Sequence, residues 1–200
     1  MQGILRLLDT NTTGSSCLYE SAVARRWDIA ELLLDAGGEE LAWLEVSEGD
    51  SLMLHAEEEG ELAIVQRMLL LCGPQVALIP GQSWGLSRSS THLAASGGHP
   101  EVLQVLLTAA QELLREVDNN CWTCLHVAAS AGNLAVLEVL LSAAPELLRE
   151  VDKNGRSCLH VTVNARRVQV VELARARGLV PASDSMPERA DTSGHERGDG

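Results

Sequence analysis

Residues 112–130 read ELLREVDNNCWTCLHVAAS, and residues 146–164 read ELLREVDKNGRSCLHVTVN. The offset is 34 residues. A third copy in the same register starts at Ser89, since its His92 lies 34 before His126, and His160 lies 34 after it. A fixed period of this length marks a stacked array, in which each unit is one supersecondary motif that cannot bury its apolar face alone.

Every copy has the same internal order. In residues 123–132, TCLHVAASAG, small and apolar residues fill two turns of helix before Gly132 interrupts. Residues 133–144, NLAVLEVLLSAA, follow with Leu134, Leu137, Leu140 and Leu141 at helical spacing. A polar turn through Val151, Asp152, Lys153, Asn154 and Gly155 then ends the unit. Short helix, break, longer helix and turn predict an all-α solenoid of helix-turn-helix units joined by short turn or hairpin loops.

These stretches resemble the ankyrin-repeat family, whose signature is T-P-L-H-x-A-A, then G-H and an apolar second helix. TCLHVAASAGNLAVLEVLL and STHLAASGGHPEVLQVLL carry the resemblance. The tetratricopeptide repeat has the same period, but its Trp, Leu-Gly, Tyr and terminal Pro positions are absent. About five units are expected, near 10–45, 46–82, 83–117, 118–151 and 152–180, with a disordered polar tail over 181–200. The first two are degenerate. In residues 16–37, Tyr19 stands where the pattern has His and Arg25 where it has Gly. In residues 51–73, Leu54 takes the His position, and Glu57 falls where a small buried residue belongs, so either the helix is distorted or that face is solvated. Leu54 to His92 is 38 residues; the surplus of four is expected in a long loop over PQVALIPGQSWGLSR, residues 74–88. In the fifth unit Arg166 and Arg167 replace Gly-His, and Arg175 and Arg177 make the second helix polar, as a solenoid end requires.

Composition agrees with close helix packing. Leu, Ala and Val supply the apolar content, and there is no Phe and one Tyr. The formal charge of −13 is uneven: residues 1–61 carry 14 acidic and 3 basic side chains, residues 62–180 carry 9 and 10, and the last twenty carry 5 and 2. An acidic front half repels phosphate, so nucleic-acid binding is disfavoured. The most apolar stretch, residues 62–81, is broken by Gln66, Arg67, Gly73, Pro74 and Pro80, so no membrane span is expected. The start MQGILRLLD carries no long apolar run, and the five cysteines are an odd number, which points to reduced thiols in the cytosol or nucleus.

CWTCLH, residues 121–126, has the look of a metal or redox site. Against GRSCLH at 155–160 it separates into a turn, where Cys121 matches Gly155, and a helix start, where Cys124 matches Cys158. A metal- or thiol-dependent protein using Cys121, Cys124 and His126 is the alternative reading; a metal site needs convergent ligands, and these residues point apart. No phosphate loop, G-x-S-x-G or H-E-x-x-H occurs, so no enzyme activity, cofactor or metal is expected.

The resemblance implies a monomeric protein-binding module or scaffold, with turn tips and the exposed side of the first helices as its surface. It also implies that His92, His126 and His160 make a structural hydrogen bond to the neighbouring turn. The corresponding surface positions are Arg88 in the third unit, Asn119, Asn120, Trp122 and Ser130 in the fourth, and Lys153, Asn154, Arg156 and Asn164 in the fifth. Trp122 is the principal candidate, because Trp is enriched at binding hot spots; the other reading folds it over the next turn as a packing residue. Trp27, Trp43 and Trp84 are read as packing residues. The chain as the targeting part of a larger protein is a third possibility.

Overall fold

The structure is a computed structural model. It describes residues 16–47, 52–79, 87–164 and 168–178. Ten helices follow one another among them: α1 (Cys17–Val23), α2 (Trp27–Ser47, broken at Gly38), α3 (Leu52–Glu59), α4 (Leu62–Cys72), α5 (Ser90–Gly97), α6 (Pro100–Ala109), α7 (Cys124–Ala131), α8 (Leu134–Ala143), α9 (Cys158–Asn164) and α10 (Val168–Ala176). Short 3-10 turns at Pro74–Leu78, Gln111–Arg115 and Pro145–Arg149 follow α4, α6 and α8. The described residues contain no strand; one isolated antiparallel bridge pairs Val151 with Ser157.

The odd-numbered helices stack in one layer and the even-numbered ones in another. The first layer is close because its facing positions are small: Ala22, Ala94, Ala95, Ala128 and Ala129 are all buried. The second layer brings the bulk, with Leu34, Ile64, Met68, Leu103, Leu106 and Leu140 fully covered. In α8 the buried stripe is Val136, Leu137, Leu140 and Leu141. Leu134 sits at the first helical position and is exposed, because the stripe starts one turn later than the leucine spacing implies.

Among the described residues, the breaks between paired helices in the first four units carry a residue in the left-handed region. Gly98 (φ 84°) and Gly132 (φ 82°) close α5 and α7 there without a Cβ clash. Arg25 takes the same conformation (φ 55°) at the position where the pattern has glycine. Cys121 (φ 59°) and Gly155 (φ 72°) likewise share a left-handed turn conformation, as their alignment implies.

Two expectations need correction. The stretch after α4 does not begin as a loop: Pro74–Leu78 is the same 3-10 turn that recurs in the next two units. Leu78 to Ser90 spans twelve residues, whereas Arg115 to Cys124 and Arg149 to Cys158 span nine, so three of the four surplus residues follow that turn. Glu57 is neither on a distorted helix nor solvated. It lies in the regular helix α3 and is fully buried. It occupies the place that Ala95 and Ala129 hold in later units. Both carboxylate oxygens lack a hydrogen-bond partner, and burial pushes the carboxyl up to about 8 against a weaker opposing influence from Ser90. That hydroxyl spends its proton on the carbonyl of Ala77 at 3.0 Å.

Trp27 and Trp43 are half-buried and pack against the core. Trp84, Arg166, Arg167 and the expected tail at 181–200 lie outside the described residues.

Candidate partner-binding surface at the turn tips

The surface starts with histidine. His92 Nδ1 accepts from the Ser89 backbone N–H at 3.3 Å and lies 2.6 Å from Ser89 Oγ. An Nδ1 that accepts leaves the proton on Nε2, which donates to the carbonyl of Trp122 in the next unit at 2.7 Å. His126 repeats the pattern, with Thr123 N–H at 3.4 Å, Thr123 Oγ1 at 2.9 Å and the carbonyl of Arg156 at 3.2 Å. His160 makes the local half of the arrangement, with Ser157 N–H at 3.2 Å and Oγ at 2.8 Å. Burial lowers the pKa of His92 and of His126, so both are held neutral. Each ring therefore fixes the start of its own helix and the height of the following turn.

Aspartate shapes the turns themselves. Asp118 Oδ1 accepts from the N–H groups of Asn120 (2.7 Å) and Trp122 (3.0 Å). Asp152 Oδ1 accepts from those of Asn154 (2.8 Å) and Arg156 (2.9 Å). This is the Asx turn that Asp and Asn favour, repeated at the 34-residue period. Asp152 also takes Arg156 Nε at 2.9 Å and Trp122 Nε1 at 3.3 Å on its second oxygen. Burial works against its ionised form, but the bonds from the Arg156 guanidinium and the backbone outweigh it, and the carboxyl lies well below the usual range.

Sequence candidates in the two turns are thereby knit together. The backbone N–H of Lys153 donates to the carbonyl of Asn120 at 3.1 Å, and Lys153 Nζ donates to Asn120 Oδ1. Trp122 is half-buried, its ring stacked on His126 with centroids 6.2 Å apart, its N–H spent on Asp152. That is the packing geometry of a residue folded over the next turn, with part of the indole still open. Asn119, Lys153 and Asn154 are exposed. Arg88 is half-buried at the matching position of the third unit, with Nε unpartnered. Ser130 is half-buried on α7, away from the two turns, and Asn164 closes α9.

Asp118 and Asp152 are the residues the sequence candidates omit, although D-x-N recurs at 118–120 and 152–154 in the aligned copies. They differ in one respect: Asp118 Oδ2 is buried without a partner. Position 122 holds Trp where the next unit supplies Arg156, so the in-turn guanidinium is missing.

The trio of the metal or redox reading is dispersed. Cys121 is exposed, while Cys124 is buried with its thiol pushed up to about 12 by burial, and both ring nitrogens of His126 are engaged. Among the described residues no group of three or more His, Cys, Asp or Glu side chains is placed to hold a metal ion, and no helix is long and apolar enough to cross a membrane.

A family model described as ankyrin repeats, in three copies, matches residues 52–147 and 91–179. The chain belongs to the ankyrin-repeat family. Its histidine ties and paired helix layers are thus those of an ankyrin solenoid, an all-α repeat architecture. Among curated proteins none matches the chain. Ankyrin repeats generally mediate protein–protein interaction.

Proposed function

We propose that this ankyrin array is a non-enzymatic, monomeric binding module that meets a partner protein through its turn tips and the open side of its first helices. The observation that carries the reading is the bonding between consecutive turns: Asn120 to Lys153, Trp122 to Asp152, and His126 to Arg156. A surface fixed before binding loses little conformational freedom on association, so its exposed side chains act with their full interaction energy. Asn119 and Asn154 are exposed on that frame, as is Lys153 with its ammonium on Asn120, and Trp122 is half-buried in the same pair of turns. The module works in a reducing compartment, the cytosol or nucleus. In support, all five cysteines are free, and burial pushes the thiols of Cys72, Cys124 and Cys158 up to about 11, 12 and 12.

The test is affinity capture with the full chain and two variants that leave the inter-turn bonds of Trp122 and Arg156 in place. Asn119→Ala/Asn154→Ala is expected to lose at least tenfold of the captured partner, and Lys153→Glu as much or more. A partner retained equally by both variants would show that the turn tips are not the surface.

A further inference from the structure

The other recurrent feature of the units is the 3-10 turn that follows each second helix. Turns Gln111–Arg115 and Pro145–Arg149 carry the same ELLREV wording and face each other across a groove of about 550 Å³. That volume is within the range of ligand and side-chain pockets. Its floor is apolar: Leu114 and Leu147 are buried, and the C-terminal end of α8 closes one side. Its rim carries Glu112, Glu146 and Glu150 against Arg115, three carboxylates to one guanidinium. All four rim side chains are exposed, and among the described residues none forms an ion pair within the chain.

We propose that this groove docks an extended, basic segment of a partner protein, with cationic side chains on the rim and an apolar one on the floor. Charge complementarity selects the occupant. The rim is net negative, and the carbonyl end of α8 adds the partial negative charge of a helix C-terminus. Phosphate-bearing or acidic partners are repelled by the same field. The repeat sets the spacing. Glu112 and Glu146 are equivalent positions of adjacent units, about 10 Å apart at ordinary helix-packing distances. A chain extended as a polyproline II helix covers that distance in three residues at about 3.1 Å each and brings its side chains back to the same face at every third position. Arginine or lysine at every third position, with leucine-like residues between, matches both rim and floor. The groove uses none of the turn-tip side chains, so it is a second surface, independent of the first.

The experiment titrates the full chain into a fluorescent synthetic peptide of sequence RLSRLSR. Three proteins are compared: wild type, the rim variant Glu112→Gln/Glu146→Gln/Glu150→Gln, and a charge-matched variant Glu31→Gln/Glu40→Gln/Glu101→Gln, whose side chains are exposed elsewhere. The rim variant is expected to bind at least tenfold more weakly and the matched variant within about twofold of wild type. Backbone amide shifts on binding are expected over 111–117 and 143–150. Equal weakening in both variants would mean that the peptide senses only net charge, and would overturn the proposal. So would failure of wild type to bind, or shifts confined to the acidic face of α3.

Discussion

The junctions at the front of the array and those in its middle reach the same packing with different glue. Between the third and fourth units His92 reaches forward to the carbonyl of Trp122, while Asn133 reaches back to the carbonyls of Ala95 (2.7 Å) and Ser96 (3.0 Å). Between the second and third, His99 reaches back to the carbonyl of Glu58 at 2.9 Å, but Leu54 stands where the forward histidine would be. That junction also encloses Glu57. Between the first and second units ion pairs form the link, Arg25 to Glu59 (2.6 Å) and Arg67 to Asp35 (2.5 Å), largely open to water. Exposed pairs contribute about 0–1 kcal/mol each, whereas a buried hydrogen bond left half-made costs about 1–3 kcal/mol. The two apolar layers stack the units; the polar ties add to how firmly each junction resists opening, and at which pH.

Glu57→Ala is the sharpest way to break this contrast. Its folded pKa of about 8 lies above the ordinary 4.5, so the folded chain holds a proton that the unfolded chain releases between those values. Stability from this group is intact below 4.5 and is lost as pH rises through 8. At about 1.4 kcal/mol per unit, the alanine variant should gain roughly 5 kcal/mol over wild type above pH 8, relative to its gain in acid. Urea midpoints of the two proteins at about pH 5 and pH 8.5 check it; a constant gap between them would refute the buried, protonated carboxyl.

His92→Ala should cost about 3 kcal/mol, since the carbonyl of Trp122 and the N–H of Ser89 lose their partner in a closed interior. Its pH signature is opposite to that of Glu57. Both His92 and His126 have lowered pKa values when folded, so the unfolded chain takes up protons first, and stability falls as pH drops through about 6.5. Hydrogen-exchange protection of the middle helices, relative to intrinsic rates, should therefore fall in mild acid while that of α3 rises.

Asp152→Asn sharpens the contrast between two turns that look alike. It keeps the Oδ1 acceptor but weakens the bonds to Arg156, for a loss of about 1–2 kcal/mol. Asp118→Asn, whose Oδ2 has no partner to lose, should stay within about 0.5 kcal/mol of wild type. Arg25→Gly relieves a left-handed arginine and gives up an exposed ion pair, for a net gain of about 0.5–1 kcal/mol. Thermal melts of the three variants suffice to rank them.

Much of this was legible in residue order. The period of 34 and the paired helices follow from aligned copies, because each is a local or nearest-unit property; the histidine tie followed from the family resemblance, and the match of Cys121 to Gly155 marked a turn whose left-handed backbone the structure adds. Leu134 misled, since helical spacing alone does not say where a stripe starts on a helix packed against two neighbours. Glu57 was conspicuous as an anomaly, yet its resolution depends on α5 closing over it, which no local pattern encodes. Asp152 was legible only as part of a polar turn; that one of its oxygens also binds the indole of the preceding unit is visible only once the turns are side by side. For Trp122, the sequence held two readings open, and the geometry adds the stacking on His126 without identifying a partner.

The duplicated wording ELLREVD at 112–118 and 146–152 gives the folding chain a problem of bookkeeping. Either copy offers an incoming unit the same leucines and the same aspartate-shaped turn, so a slip by one whole unit is chemically plausible during collapse. What labels the copies is position 122: an indole that must cross to the Asp152 of the following turn, where Arg156 is satisfied within its own. Trp122 is thus a register mark, and Trp122→Arg should erase it, leaving the native stack reachable but with a slow, misregistered fraction on refolding.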